Sequence, residues 1–235
     1  MHDGERVSAP AGTVFRLRDL GVDYHPPTGT VTALDAITLD VPDRGITVLA
    51  GPSGSGKSTL LRVLGLFERP ARGTVTFGGT DTGRLGHAAR RALRRDRLSQ
   101  VFQNPLDNLV DYLTVAENLR AAADSVRTRC EPAELLEQLG LDGTGGWRIS
   151  ALSGGQQQRL AFGCALARGS SVILADEPTS QLDDGSAELV LETLRVLAER
   201  DHAVVVAAHD DRLIRLGDRI ARLRGGTLQE VEDRA

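Results

Sequence analysis

The chain has 235 residues, 40% hydrophobic, 26% charged and 3% aromatic, which is enough apolar content for one domain with a packed core and excludes a disordered tail or a short disulfide scaffold. Lys plus Arg number 28 against 32 for Asp plus Glu, a net charge of -4, so no general attraction to nucleic acid or anionic lipid is expected. The longest apolar run, 203–208, is far short of the roughly 20 residues that span a bilayer, and no basic-then-apolar leader opens the sequence, so a cytoplasmic protein is expected.

In chain order, residues 1–12 mix Pro, Gly, Ser and charge without period and read as a loose leader. A β-rich opening follows: a strand at 14–17, strand segments broken by turn signals over 31–41, and a buried parallel-type strand at 46–50. Leu60, Leu61 and Leu64 give 57–66 a helical pattern, and 74–77 returns as a strand that turns at Gly78-Gly79. Residues 84–97 carry six arginines and read as an exposed helix with a solvated face, rather than a lipid or partner contact. From 104 to 149 the pattern is mainly helical, clearest at 115–124 and 132–139, with a loop at 143–146. Then come a helix at 157–168, a buried strand at 172–175, an amphipathic helix at 187–200, a buried strand at 203–208, and a terminal hairpin of 219–223 and 227–231 around Gly225-Gly226.

This alternation implies an α/β fold with a mostly parallel sheet, an antiparallel β subdomain near the start and an inserted α-helical subdomain. Cys130 and Cys164 share no metal-ligand spacing and read as reduced structural thiols.

The run GPSGSGKST, 51–59, lies between a buried strand and a helix, the context that a phosphate-binding loop requires. Gly51, Gly54 and Gly56 free the backbone for an anion nest at a helix N-terminus, with Pro52, Ser53, Ser55 and Thr59 completing the run. Lys57 is the one lysine among the 28 basic residues, and it reads as a compact ammonium for the β- and γ-phosphates at a place where a guanidinium does not fit. Ser58 offers a hydroxyl to Mg²⁺. The strand at 172–175 ends in Asp176 and Glu177, placing an Mg²⁺ anchor and a proton acceptor for an attacking water at the C-terminal sheet edge. These motifs describe a P-loop NTPase core, and alone they leave hydrolase and kinase open.

A third motif separates the two. LSGGQ, 152–156, precedes Asp176 by 23 residues counted from Ser153, and it resembles the ATP-binding-cassette (ABC) signature, with Ser153, Gly154, Gly155 and Gln156 opening a helix as a second phosphate receptor. Tyr24 resembles the adenine-stacking aromatic of that family, Gln103 in VFQNP its Q-loop, 180–183 its D-loop with Asp183, and His209 its switch histidine. The likeness therefore covers nearly the whole sequence: one ABC domain, with the ATPase core at 13–103 and 166–235 and the helical subdomain at 104–165. In VFQNP and LTVAENL it looks most like the stand-alone ATPases of lipoprotein-release, macrolide-export and division-associated systems, while import subunits share much of this, so direction and cargo stay open. Gln181 in place of a small D-loop residue, and Trp147-Arg148 ahead of the signature, are departures that remove no catalytic group.

The resemblance implies ATP and Mg²⁺ as cofactors, with Glu177, His209 and Gln103 catalytic and Ser58, Gln103 and Asp176 around the metal. It implies a head-to-tail dimer with a second copy, and a peripheral position on the inner membrane face beside integral membrane permease subunits. Nucleic acid is not an expected partner. A soluble ABC-type switch, serving iron-sulfur assembly or cell-wall and division control, would share every motif, whereas a kinase leaves LSGGQ and His209 unexplained.

Overall fold

The computed structural model describes residues 12–27 and 29–234, so the expected leader lies, Gly12 apart, outside the described residues. The chain opens with β1 (Thr13–Tyr24), β2 (Val31–Pro42) and β3 (Gly45–Ala50), then α1 (Lys57–Leu64), β4 (Arg72–Phe77), the short β5 (Thr80–Asp81), α2 (His87–Arg97) and β6 (Leu98–Val101). Helices α3 (Val115–Asp124), α4 (Pro132–Gln138) and α5 (Gly154–Ala167) follow. The closing run is β7 (Val172–Asp176), α6 (Asp184–Glu199), β8 (Ala203–Ala208), α7 (Asp211–Leu216), β9 (Arg219–Arg224) and β10 (Thr227–Asp233).

The main sheet has the order β10-β9-β3-β8-β7-β6, parallel except at the β9/β10 hairpin. Its centre is built from the near-continuous apolar runs GITVLA, AVVVAA and VILAD, as expected of strands covered on both faces. Leu49, Leu174 and Val205 face one layer, which holds α1 and a second, antiparallel sheet of order β2-β1-β4-β5. Val48, Ile173 and Val206 face the other, which holds α5, α6 and α7. The smaller core of the helical insert joins Val115, Leu119, Leu136, Ile149 and Leu160.

Helix α5 serves two cores: Ala161, Phe162 and Ala165 pack on the main sheet, while Leu160, Cys164 and Ala167 close the helical insert. Burial pushes the Cys164 thiol up to about 12, in keeping with a packing role.

Several expectations are corrected. Region 31–41 is one strand, not broken segments, and β1 runs well past residue 17. The apparent breaks are paired bulges: an extra residue on β1 between Leu17 and Leu20, where Asp19 has φ 49°, and one on β2 between Leu34 and Ile37, where Ala36 has φ 51°. Strand β6 and helix α7 were not anticipated, and α5 and α6 each start three residues earlier than their periodicity suggested. The terminal hairpin forms as expected, and its strand β9 adds in parallel to β3.

The arginine-rich helix is not simply a solvated face. Arg90 is buried, and its guanidinium donates to the carbonyls of Leu66, Glu68 and Thr82. It thereby holds Leu66, at φ 60°, in the turn that ends α1.

Candidate functional site

The parallel strands end level. Ala50 lies opposite Ala208, Asp176 opposite Ala207, and Val101 opposite Ala175. The residues just beyond these strands (the 51–59 loop, His209, Glu177 and Gln103) are therefore delivered to one edge of the sheet, where α/β proteins collect ligands.

The loop turns between β3 and α1 by backbone conformations that glycine permits. Gly51 has φ 153°, and a Cβ there would sit 2.2 Å from the Leu223 carbonyl oxygen. Gly56, at φ 102°, would meet Leu34 Cδ2 at 2.6 Å. Leu34 pairs with Val22 two residues before Tyr24, so the end of the antiparallel sheet that carries Tyr24 is seated beside the loop.

Lys57 is 4% exposed, and its Nζ donates to the carbonyls of Gly51 at 2.8 Å and Pro52 at 3.1 Å. The slim ammonium occupies a space walled by those two oxygens, and it lies 3.7 Å from Glu177 Oε1. The Ser55 hydroxyl is buried beside Gly51 and has no hydrogen-bond partner among the described residues.

Across from the loop, Ser58 Oγ donates to Asp176 Oδ1 at 3.1 Å. Burial pushes the Asp176 carboxyl above its ordinary value; the Ser58 hydrogen bond opposes the shift, Glu177 adds to it, and Lys57 opposes it. These two hard oxygens are the donor type that Mg²⁺ selects. Gln103 is not joined to that pair: its Nε2 donates to Ser180 Oγ at 2.9 Å.

Glu177 has φ 44°, a left-handed conformation uncommon for a side chain of this size, and its N–H donates to Ala207 O at 2.9 Å. Its Oε1 lies 3.2 Å from Nδ1 of the exposed His209. Donation from both ring nitrogens at once, one to Glu177 and one to a ligand, requires the imidazolium. Glu177, Ser180, His209, Asp210 and Arg212 border a polar cleft of about 340 Å³.

The signature lies elsewhere. Ser153 caps α5 in a reciprocal box: its Oγ accepts from the Gln156 N–H at 3.3 Å, and its own N–H donates to Gln156 Oε1 at 2.9 Å. A Cβ on Gly155 would strike Ser186 Cβ at 2.6 Å, so this helix tip packs on the start of α6 while Ser153 and Gly154 stay exposed. Asp183 caps α6, accepting from the Ser186 N–H at 3.0 Å, a bond that holds its carboxyl below the usual value. The fold thus gathers Lys57, Ser58, Asp176, Glu177 and His209, with Gln103 reaching them through Ser180. The signature stays on the opposite face of the sheet from α1.

A groove of about 560 Å³ between α2, β6 and the helical insert was not anticipated from sequence. Phe67, 53% exposed, carries the Arg94 guanidinium at 4.9 Å, and Arg91, Phe102 and Arg168 also line the groove. Buried Gln100 Oε1 and Arg168 Nε have no hydrogen-bond partner there among the described residues. The one available signal was the arginine-rich stretch at 84–97, which reads as a solvated face.

The model of the ABC transporter family matches residues 34–180. The lipoprotein-releasing system ATP-binding protein LolD of Novosphingobium aromaticivorans is 40% identical over 225 residues, 92% of this chain and 98% of that protein. The macrolide export ATP-binding/permease protein MacB of Escherichia coli O157:H7 is 34% identical over 220 residues, 92% of this chain but only 34% of that longer protein. A solved dimer of the ATP-binding cassette MJ0796, in a post-hydrolysis state bound to ADP and Pi, matches with a TM-score of 0.81 at 32% identity, covering 93% of this chain and 98% of that one.

Proposed function

Because the chain belongs to the ABC transporter family as an ATP-binding, ATP-hydrolysing cassette, we propose that two copies close head to tail on two Mg-ATP and thereby drive conformational change in separate membrane permease subunits. The observation that carries this reading is the placement of the two phosphate receptors. The 51–59 loop opens α1 on one face of the main sheet, and Ser153 opens α5 on the other, so the sandwich requires the signature of a second copy. Every motif position is filled by a competent residue, which favours a homodimer with two working sites.

The residues present suit the ligands. The glycine loop, the unpartnered Ser55 hydroxyl and the Lys57 ammonium form a cradle for phosphate oxygens. Tyr24 lies at the sheet end seated beside the loop, which supports reading it as the aromatic that stacks the base. Ser58 and Asp176 would hold Mg²⁺, which would supply charge neutralisation at the phosphates and offset the burial of Asp176.

Lys57 trades its carbonyl partners for phosphate oxygens. Glu177 takes a proton from the attacking water, and His209 beside it donates to the developing phosphate charge. Asp183, exposed at the start of α6, faces the partner copy. Moving a permease from 1:99 to 99:1 between two states takes about 5.5 kcal/mol of differential binding, within reach of two phosphate sandwiches.

Ser153→Arg crowds the second receptor and is expected to retain MgATP binding while remaining monomeric on a sizing column. Normal dimer formation by this variant contradicts the head-to-tail arrangement.

No helix among the described residues is long and apolar enough to cross a membrane. On this reading the chain sits on the cytoplasmic membrane face, with permease helices seated in the groove by Phe67 and the Gln103 turn. The arginines there favour a segment bearing carboxylates. Cross-linking from native membranes is expected to recover a multi-span permease, and recovery of soluble proteins alone favours a switch that moves no solute.

A further inference from the structure

Glu177 sits in a left-handed conformation that is strained for a non-glycine residue and persists only where neighbours enforce it. Its amide is fixed by Ala207 O on the sheet side. Its carbonyl is fixed by Ser180 alone among the described residues, through the Ser180 N–H at 3.2 Å and the Ser180 hydroxyl at 3.0 Å.

A serine hydroxyl has one proton. Since Ser180 spends it on the Glu177 carbonyl, its Oγ can only accept from Gln103, which fixes the Gln103 amide with Nε2 inward at 2.9 Å. The donor direction thus runs one way, from Gln103 through Ser180 to Glu177, and each bond polarises the next. Gln103 also stands where the chain leaves the sheet for the helical insert. Neighbouring bonds tie that turn to the insert: Gln158 Nε2 of α5 donates to Phe102 O at 3.3 Å, and the Phe102 N–H donates to Asn108 Oδ1 at 2.8 Å.

Building on the reading of Glu177 as proton acceptor, we infer that Ser180 is a positioning residue: its hydroxyl holds Glu177 in register and makes that register depend on where the helical insert holds Gln103. Displacement of the insert withdraws the Gln103 donor, loosens the Ser180 hydroxyl and lets the Glu177 turn relax. Phosphate binding by the 51–59 loop involves none of these bonds, so the dependence falls on turnover and not on substrate capture.

The test is steady-state ATP hydrolysis by the full chain. For Ser180→Ala we expect kcat to fall about 10- to 100-fold, the scale of a misplaced catalytic group, with KM for ATP within about twofold and the thermal midpoint unchanged. Ser180→Thr, which keeps the hydroxyl, should recover most of the rate. Combined with Gln103→Ala, the loss should be well short of the product of the two single losses, because both remove one linked chain. A Ser180→Ala kcat within about twofold of wild type, a loss confined to KM, a Thr variant as slow as Ala, or full additivity overturns the inference. Glu177→Gln in the same assay separates the two readings. If it turns over normally, the proton-acceptor assignment has failed; if it is inactive while Ser180→Ala is normal, only the positioning role has failed.

Discussion

Lys57→Ala is expected to bind MgATP at least about a hundredfold more weakly than the wild-type chain, the equivalent of roughly 2.7 kcal/mol, in an equilibrium titration with nucleotide. The magnitude comes from the environment. The ammonium is almost wholly withdrawn from water, so its charge-assisted bonds to phosphate are not diluted by solvent. Its removal also strips a cation from beside Glu177 and one of the groups that favour ionised Asp176, leaving two carboxylates beside incoming phosphate. Lys57→Arg is expected to fail as well, since a planar fork does not fit between the Gly51 and Pro52 carbonyls, although arginine fills every other basic position. Unchanged affinity in the alanine variant removes the phosphate-loop assignment.

Glu177→Gln is expected to slow hydrolysis by about 10² to 10⁴ while ATP-bound dimers accumulate, read by single-turnover assay and by sizing with MgATP. Glutamine keeps the shape of the side chain but cannot accept the water's proton, and it loses the charge that faces Lys57 and His209. Loss of a negative charge beside the phosphates lowers repulsion in the closed state, so binding and closure survive the loss of chemistry. Near-normal turnover places the proton acceptor elsewhere.

Much of this site was legible before the fold was known, for a physical reason. Buried parallel strands are apolar throughout, so 46–50, 172–175 and 203–208 stand out, and the residues just past each strand are committed to one sheet edge. Local breaks in period concealed the rest. Asp19 and Asp35 are turn-type residues, yet they lie at bulges inside long strands. Strand β6 carries Ser99 and Gln100 among its four residues, and α7 is too short to show a period. The signature reads as the opening of a helix, and the capping box formed by Ser153 and Gln156 starts α5 there, three residues before its apolar period begins. Arg90 has the composition of a surface residue, and only tertiary structure supplies the carbonyls that let it be buried. The Gln103–Ser180 bond spans 77 positions, and no spacing rule announces it.

Helix α5 belongs to two cores at once, and this limits how the insert can travel. A segment swinging on flexible connections could drift freely, whereas a rod with one flank bedded on the sheet must rock about that bed like a lever on its fulcrum. The rod is roughly 20 Å long, so a few degrees of tilt at its seat become about an ångström of travel at Ser153, the tip that the proposed sandwich sets against the neighbouring molecule's nucleotide.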